Sequence, residues 1–363
     1  MKISRIGIVA ILSAAMIFGF DSCDTSASDG DSIYQFHSTV TYLAAGTDGS
    51  AGTEATYCTF GDWPQTVKAE SVTIDEANSV SMGFYTYYLG SDNNYYAKCY
   101  ENAYANSYTY SDGTAVAQRS ANSEKYFKVE PIKWRVLNPS AEGNKILVAE
   151  SILTANVAYY DYSDVNRTIE GETVYPNNYE HSKIRAYLNG LSYAVKATDS
   201  DEQTTASTYD GIGFLQTAFT ATAQNLIATT TVDNSAASTN LASNASNWNS
   251  GTNDYACEDT SDKIFLLSEK EATTSDYGFT EYNVYGTGNS RIRVTTDYAK
   301  ANYAHQYTTA GYGGWWRLRS PYYEKSERVR YVGEYAEAMW SCDVDSENFG
   351  VVPALSISQG NLL

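Results

Sequence analysis

The chain has 363 residues, with 24 basic against 43 acidic side chains and a net charge of −19 at neutral pH. A surface of that sign repels phosphate backbones and anionic lipid head groups, which excludes nucleic acid as a partner. The length suits one large domain or two closely packed lobes, enough to bury a core without covalent staples.

Taken from the N-terminus, the first element reads as an export signal. Lys2 and Arg5 precede an apolar run over residues 6–20, which is short for a membrane span and is followed at once by polar residues. The stretch "FDSC", with Cys23 behind Ser22, resembles a relaxed bacterial lipobox. In that reading residues 1–22 are a cleaved signal peptide, and acyl chains on Cys23 anchor the protein to a membrane of the cell envelope. Asp21 is unusual in such a motif, and an ordinary cleaved signal is the alternative. Asp24 is a residue type that retains some bacterial lipoproteins at the inner membrane, so outer-membrane display stays open. Residues 23–56 are rich in Ser, Thr, Ala, Gly and Asp and read as a flexible tether that includes His37.

The folded domain is expected over residues 57–363. It opens with alternating aromatics and a turn at "GDWP" (61–64). Residues 126–137 read as a strand broken by Pro131, paired as a hairpin with 144–152. A helix is predicted over 181–191, with Ser182 as N-cap and Ile184, Tyr187, Leu188 and Leu191 on one face; Gly190 weakens its last turn. A second helix is predicted over 213–227, with Phe214, Leu215, Ala218 and Phe219 apolar. Residues 228–261 read as a long loop. Residues 262–268 suggest a buried strand, and 268–272 a short helix with Ser268 and Glu271 in a capping box. Residues 328–344 suggest two strands turning near Gly333. Residues 349–357 form a closing strand, in which Pro353 implies an edge or a bulge. Strands, then two helices, a loop and strands again make this an α+β chain, not an alternating βαβ one.

Residues 313–321, "GGWWRLRSP", set the question of chemistry against packing. Alternation places Trp316, Leu318 and Ser320 on one face and Trp315, Arg317 and Arg319 on the other. In an acidic chain such arginines are expected to pair with carboxylates or stack on rings, which is a structural role. Cys58, Cys99, Cys257 and Cys342 lie far apart with no CxxC pair, which argues against a zinc knuckle; two disulfides in three pairings, or four lone thiols, remain open. The three histidines, His37, His181 and His305, have no ligand-spaced partners. Asp343, Asp345 and Glu347 offer oxygens to calcium but lack the glycine and glutamate of an EF-hand loop, and read as a solvated turn. No G-x-S-x-G, HExxH or Walker loop occurs. No catalytic residue, metal ligand or cofactor is therefore assigned.

The series "PIKWRVL" (131–137), "HSKIRAYLNG" (181–190), "KIFLLSEKEA" (263–272), "WWRLRSP" (315–321) and "GVVPALSI" (350–357) resembles an uncharacterised bacterial domain family of exported or lipid-anchored proteins, marked by WRVL, LRSP and GVRPAL motifs. The likeness spans most of residues 57–358. It implies a C-type lectin-like layout of the formylglycine-generating-enzyme type, with antiparallel sheets, two main helices and long loops. It also makes Trp134, Trp316, Arg319, Ser320, Pro321, Gly350 and Pro353 signature positions of the fold. Val352 departs from the arginine that many members carry. The sugar-binding calcium motifs of true C-type lectins are absent, and no cysteine matches the oxidation site of the formylglycine-generating enzymes.

In lectin-like folds the strands before the closing strand display variable side chains. Here that stretch offers Tyr322, Tyr323, Arg328, Arg330, Tyr331, Tyr335 and Trp340 among Glu324, Lys325 and Glu337, a composition suited to recognising a protein or glycan. The expected protein is a lipid-anchored envelope binder. An exported enzyme using acidic and arginine residues of a loop pocket is the alternative, and a structural envelope protein without a ligand is the third reading.

Overall fold

The computed structural model describes residues 34–43, 56–139, 142–239, 253–280, 284–338 and 340–358. The expected signal segment, Cys23 and most of the expected tether lie outside the described residues. Two long strands form the spine. Thr56–Val67 runs antiparallel to Glu124–Val136, from Thr56 opposite Val136 to Val67 opposite Phe127. The "GDWP" stretch is not a turn: it lies inside the first strand, where one register slip absorbs Gly61 (φ 68°) and a second falls just after Pro64. Both strands send a tryptophan into the core. Trp63 Nε1 donates to Leu153 O at 3.0 Å and Trp134 Nε1 to Phe60 O at 2.7 Å, so each ring buries its apolar body with its N–H satisfied.

From this spine the sheet grows to ten strands, antiparallel and curled. On one side Tyr95–Tyr100, Tyr85–Gly90 and Ile74–Met82 follow as a meander. On the other, Lys145–Ala149 pairs with Glu124–Val136 in the expected hairpin, and Ala354–Ile357 comes next. Ala354–Ile357 also pairs with Ile227–Ala228 and Ile264–Phe265, so it is interior and not an edge. Pro353 is tolerated because it precedes the first paired residue, where no N–H is required of it. A separate three-stranded sheet joins Trp316–Pro321, Arg328–Val332 and Trp340–Asp343.

The helices are few and short. Lys183–Asn189 begins as expected, with the Ser182 side chain accepting from Arg185 N, and Gly190 closes it at φ 70°. Leu191, expected on the apolar face, lies beyond that cap and is exposed. The predicted helix over 213–227 is two pieces. Phe214–Ala218 stops where Phe219 turns extended, and Thr220 caps Ala221–Leu226 through its hydroxyl. The chain then enters the sheet at Ile227. Ser268 and Glu271 make the expected reciprocal capping pair, Ser268 N to Glu271 Oε2 at 2.8 Å and Glu271 N to Ser268 Oγ at 3.1 Å. The stretch expected as a long loop is fastened at its ends, where Thr230–Val232 pairs with Thr260–Asp262. The molecule is therefore mixed but mostly sheet. No helix among the described residues is long and apolar enough to cross a membrane.

Residues 34–43, inside the stretch whose composition reads as a tether, lie on the sheet. Phe36 stacks 6.2 Å from Tyr87 and 5.6 Å from Tyr95, and Thr41–Tyr42 pairs with Cys58 and Thr59. The four described cysteines are free thiols. Burial raises Cys58 to about 12 and Cys342 to about 11, so both stay protonated.

Candidate ligand-binding site

The strand Trp316–Pro321 is buried on every residue. Arg317 and Arg319 sit inside and are satisfied mainly by carbonyls. Arg317 donates to Val344 O at 3.2 Å and to Ser346 O, and its guanidinium lies 5.5 Å from the Phe349 ring. Arg319 donates to Leu266 O at 2.8 Å and Asp233 O at 3.1 Å and pairs with Glu271. The other signature positions are equally internal. Trp316 Nε1 donates to Arg291 O at 3.1 Å, Ser320 Oγ accepts from Glu269 N at 2.8 Å, and Pro321 O accepts from Asn253 at 3.1 Å. Gly350 passes so close to Ile152 that a β-carbon there would sit 2.4 Å from Cγ2. The double-tryptophan stretch is packing.

The seven residues of the expected recognition face do not share one surface. Register places Tyr331 opposite both Arg317 and Trp340, on one side of the small sheet, while Arg328 and Arg330 alternate to the other. Arg330 is buried, 3.3 Å from the equally buried Glu269, with its guanidinium 4.7 Å from the Tyr322 ring and 5.9 Å from Tyr323. Tyr322 and Tyr323 pack edge to face over it, and both hydroxyls donate to Glu324. Arg328 pairs with Asp343 at 3.1 Å. Tyr331 is half-buried, 4.7 Å from Phe349 and 6.0 Å from Trp315. Asp345 accepts from Ser163 at 3.1 Å. Among the described residues no three His, Cys, Asp or Glu side chains converge as metal ligands.

Tyr335 and Trp340 differ from the rest. Tyr335 stands on the turn after Val332, and its ring meets Tyr312 at 4.8 Å and Tyr307 at 5.4 Å; Tyr307 and Tyr312 lie 5.5 Å apart. Its hydroxyl donates to Tyr307 Oη at 3.0 Å, and that bond raises its pKa to about 12, so it stays a neutral phenol. Tyr307 and Tyr312 line a cleft of about 350 Å³ with Val294, Lys300, Gln306 and Thr309. Lys300, the charged group in that lining, is held by Asp297 and Thr109 O, both at 3.1 Å.

Exposed apolar residues collect around this triad. Tyr285 is 66 % exposed and adjoins Gly286, whose N–H donates to Tyr335 O at 2.8 Å. Val294 is 58 % exposed in the cleft wall, and Trp340 is 54 % exposed beside Gly333, at the base of the Tyr335 turn. Sequence reasoning found Tyr335 and Trp340 and missed Tyr307, Tyr312, Tyr285 and Val294. The three tyrosines come from loops and Val294 from a two-residue strand, none with a periodic pattern, in a chain with tyrosine everywhere.

Comparison with curated proteins and with solved structures gave no significant match. A family described as a domain of unknown function, DUF6273, matches residues 142–359. The match takes in the buried strand, the small sheet, the closing strand and most of the tyrosine cleft, Tyr307 and Tyr312 included; Ser107 to Thr109 of that cleft and the strands from Thr56 to Val136, Trp134 among them, lie outside it. With more than half of its length covered, the chain belongs to the DUF6273 family of domains of unknown function.

Proposed function

We propose that this protein is an exported, lipid-anchored envelope protein whose C-type lectin-like domain binds a partner protein outside the cytoplasm through the patch around Tyr335. One observation carries the reading. Tyr307, Tyr312 and Tyr335 pack on one another, the first two line a cleft with the exposed Val294, and exposed Tyr285 and Trp340 flank the Tyr335 turn. Rings held in place by one another lose little freedom on binding, and exposed apolar side chains gathered in one place are what interfaces bury. The enzyme reading finds less support, because among the described residues no pair of acid and base groups lines this cleft. The scaffold reading accounts for Tyr322, Tyr323 and Tyr331 but leaves the patch without a role.

The test is binding of residues 34–363 to an array of exported and cell-surface proteins, beside Tyr335→Ala and Trp340→Ala. Each substitution at a central anchor is expected to cost about 2 kcal/mol, roughly thirtyfold in affinity, with the unfolding temperature little changed. Affinity untouched by both substitutions sinks the patch as the site. The anchor is tested separately by the intact mass of the purified N-terminus. Acyl mass on Cys23, and release of a Cys23→Ala variant from membranes, are the expected results.

A further inference from the structure

A second cleft, of about 480 Å³, opens on the other side of the short helix Asp297–Ala301. Tyr298 and Asn302, four residues apart, line it, whereas Lys300 between them lines the tyrosine cleft. Its walls come from two sources. Asn156, Tyr298 and Asn302 lie within the family match; Tyr85, Lys98 to Asn102, Arg119 and Asn122 belong to the N-terminal part outside it. The volume falls in the range of small-ligand sites, roughly 300–1,000 Å³.

The polar groups of this cleft divide into committed and free. Glu101 is buried, and its carboxylate accepts from Tyr110 Oη at 2.6 Å, Ala117 N at 3.0 Å and Ser123 Oγ at 2.5 Å. Lys98 pairs with Glu76 at 3.0 Å and Glu124 at 3.6 Å. Asn302 Nδ2 donates to Thr154 Oγ1 at 2.7 Å and Ala155 O at 3.0 Å. The hydroxyls of Tyr85 and Tyr298 bond to each other. By contrast the side chains of Asn102, Asn122, Asn156 and Arg119 make no hydrogen bond or ion pair with any described residue. Tyr100 stands at the rim, 63 % exposed.

We infer that this cleft binds a neutral oligosaccharide. Each free amide offers donors and an acceptor side by side, the pattern that vicinal sugar hydroxyls complement, and Arg119 adds donors only. A carboxylate or phosphate accepts without donating. It would pair with Arg119 but would leave the amide oxygens of Asn102, Asn122 and Asn156 unpaired. An apolar ligand would strip water from four polar side chains with nothing in return. The exposed ring of Tyr100 supplies the flat apolar surface on which the C–H face of a sugar packs. The inference stands apart from the tyrosine patch and does not rest on it.

The experiment is calorimetric titration of the full-length chain with maltotriose, xylotriose, mannotriose and chitotriose, with trigalacturonate as the anionic control. At least one neutral trisaccharide is expected to bind, and trigalacturonate is not. The variants Asn102→Ala and Asn156→Ala are expected to weaken that binding about tenfold each through lost hydrogen bonds, and Arg119→Gln less. Since these side chains support nothing else, their unfolding temperatures should match the wild type; Arg119→Gln, fully on the surface, remains the control if an asparagine variant fails to fold. Failure of every neutral probe, preference for trigalacturonate, or binding that survives both asparagine changes overturns the inference. Binding kept in those variants but lost in Tyr335→Ala moves the sugar to the tyrosine patch, which also overturns it while leaving that patch as a working site. Loss of protein binding in Tyr335→Ala with sugar binding intact is the converse result and supports two sites.

Discussion

Glu269 and His305 are both buried and are pushed in opposite directions. Burial raises the Glu269 carboxyl from 4.5 to about 7, with Arg330 opposing the shift, and its Oε1 finds no donor among the described residues. Burial lowers the His305 imidazole from 6.5 to about 4, with Glu334 opposing, in a ring stacked 3.7 Å from Trp315. For Glu269 the folded state keeps a proton that the unfolded chain loses first. Its contribution to stability is full below pH 4.5 and drains away as pH rises to about 7. For His305 the unfolded chain takes a proton that the folded state refuses, so its contribution is full above pH 6.5 and is lost as pH falls to about 4. Between these limits the two slopes oppose. Urea unfolding at stepped pH should therefore give Glu269→Gln a steeper rise of stability with pH than the wild type, and His305→Gln a shallower one. Parallel curves for all three proteins would mean that neither group titrates across folding. The sequence alone marked His305 only as lacking ligand partners. Its sandwich against Trp315, ten positions on, is tertiary and leaves no local trace.

At the scale of elements, arginine takes the place that disulfides hold in many exported domains. Arg167, Arg291, Arg293, Arg317 and Arg319 are among the largest fully buried side chains. Each is satisfied mostly by loop carbonyls: Arg293 by Ala149 O, Ser290 O and Ile292 O at 2.8–3.0 Å, and Arg291 by Ala336 O at 2.7 Å, Val284 O at 2.8 Å and Thr280 O. A planar fork reaches several carbonyls at once, which an ammonium does not. Arg317→Lys should cost about 2–4 kcal/mol, because the Val344 and Ser346 carbonyls lose their donors in a dry interior. A denaturation midpoint equal to the wild type's would refute that role. The expected carboxylate or ring partners of the "WWRLRSP" arginines are present, Glu271 for Arg319 and the Phe349 ring for Arg317, but carbonyls, which leave no mark in composition, do most of the holding. Caps were legible because they are local: Ser182, and the Ser268–Glu271 pair, act over three residues. The strand through "GDWP" was not, because glycine and proline ordinarily punctuate and only the long partner strand makes bulges out of them. The helix break at Phe219 was hidden for the opposite reason, since apolar spacing continued straight through it while Phe219 turned extended and the Thr220 hydroxyl began the next helix.

Across the whole molecule, periodicity revealed the family core better than its surroundings. The meander from Ile74 to Tyr100 escaped the sequence reading, as did most of the tyrosine patch, whose members meet only through the fold. The segment over 34–43 is the sharpest case, because its polar composition argues for a tether while three residues do structural work. Asp62 is buried in the sheet, and its carboxylate accepts from Tyr34 Oη and from His37 N and Nδ1, both at 2.7 Å for His37. Phe36 covers Tyr87, which with Ala97 and Val129 forms a small core of its own on that face of the sheet. Stripping the segment away exposes these apolar side chains and leaves Asp62 to find water through a face built to exclude it. Burial of one phenylalanine and three charge-assisted hydrogen bonds together suggest a loss of about 3 kcal/mol or more. A chain beginning at residue 34 should therefore keep the unfolding midpoint of the full-length protein, and one beginning at residue 44 should unfold at clearly lower urea. The shorter chain should also expose Tyr87 and Tyr95 to hydrogen exchange at their strands before the rest of the sheet opens. Equal midpoints for the two chains would return residues 34–43 to the tether and would set the first residue of the domain at the strand Thr56–Val67.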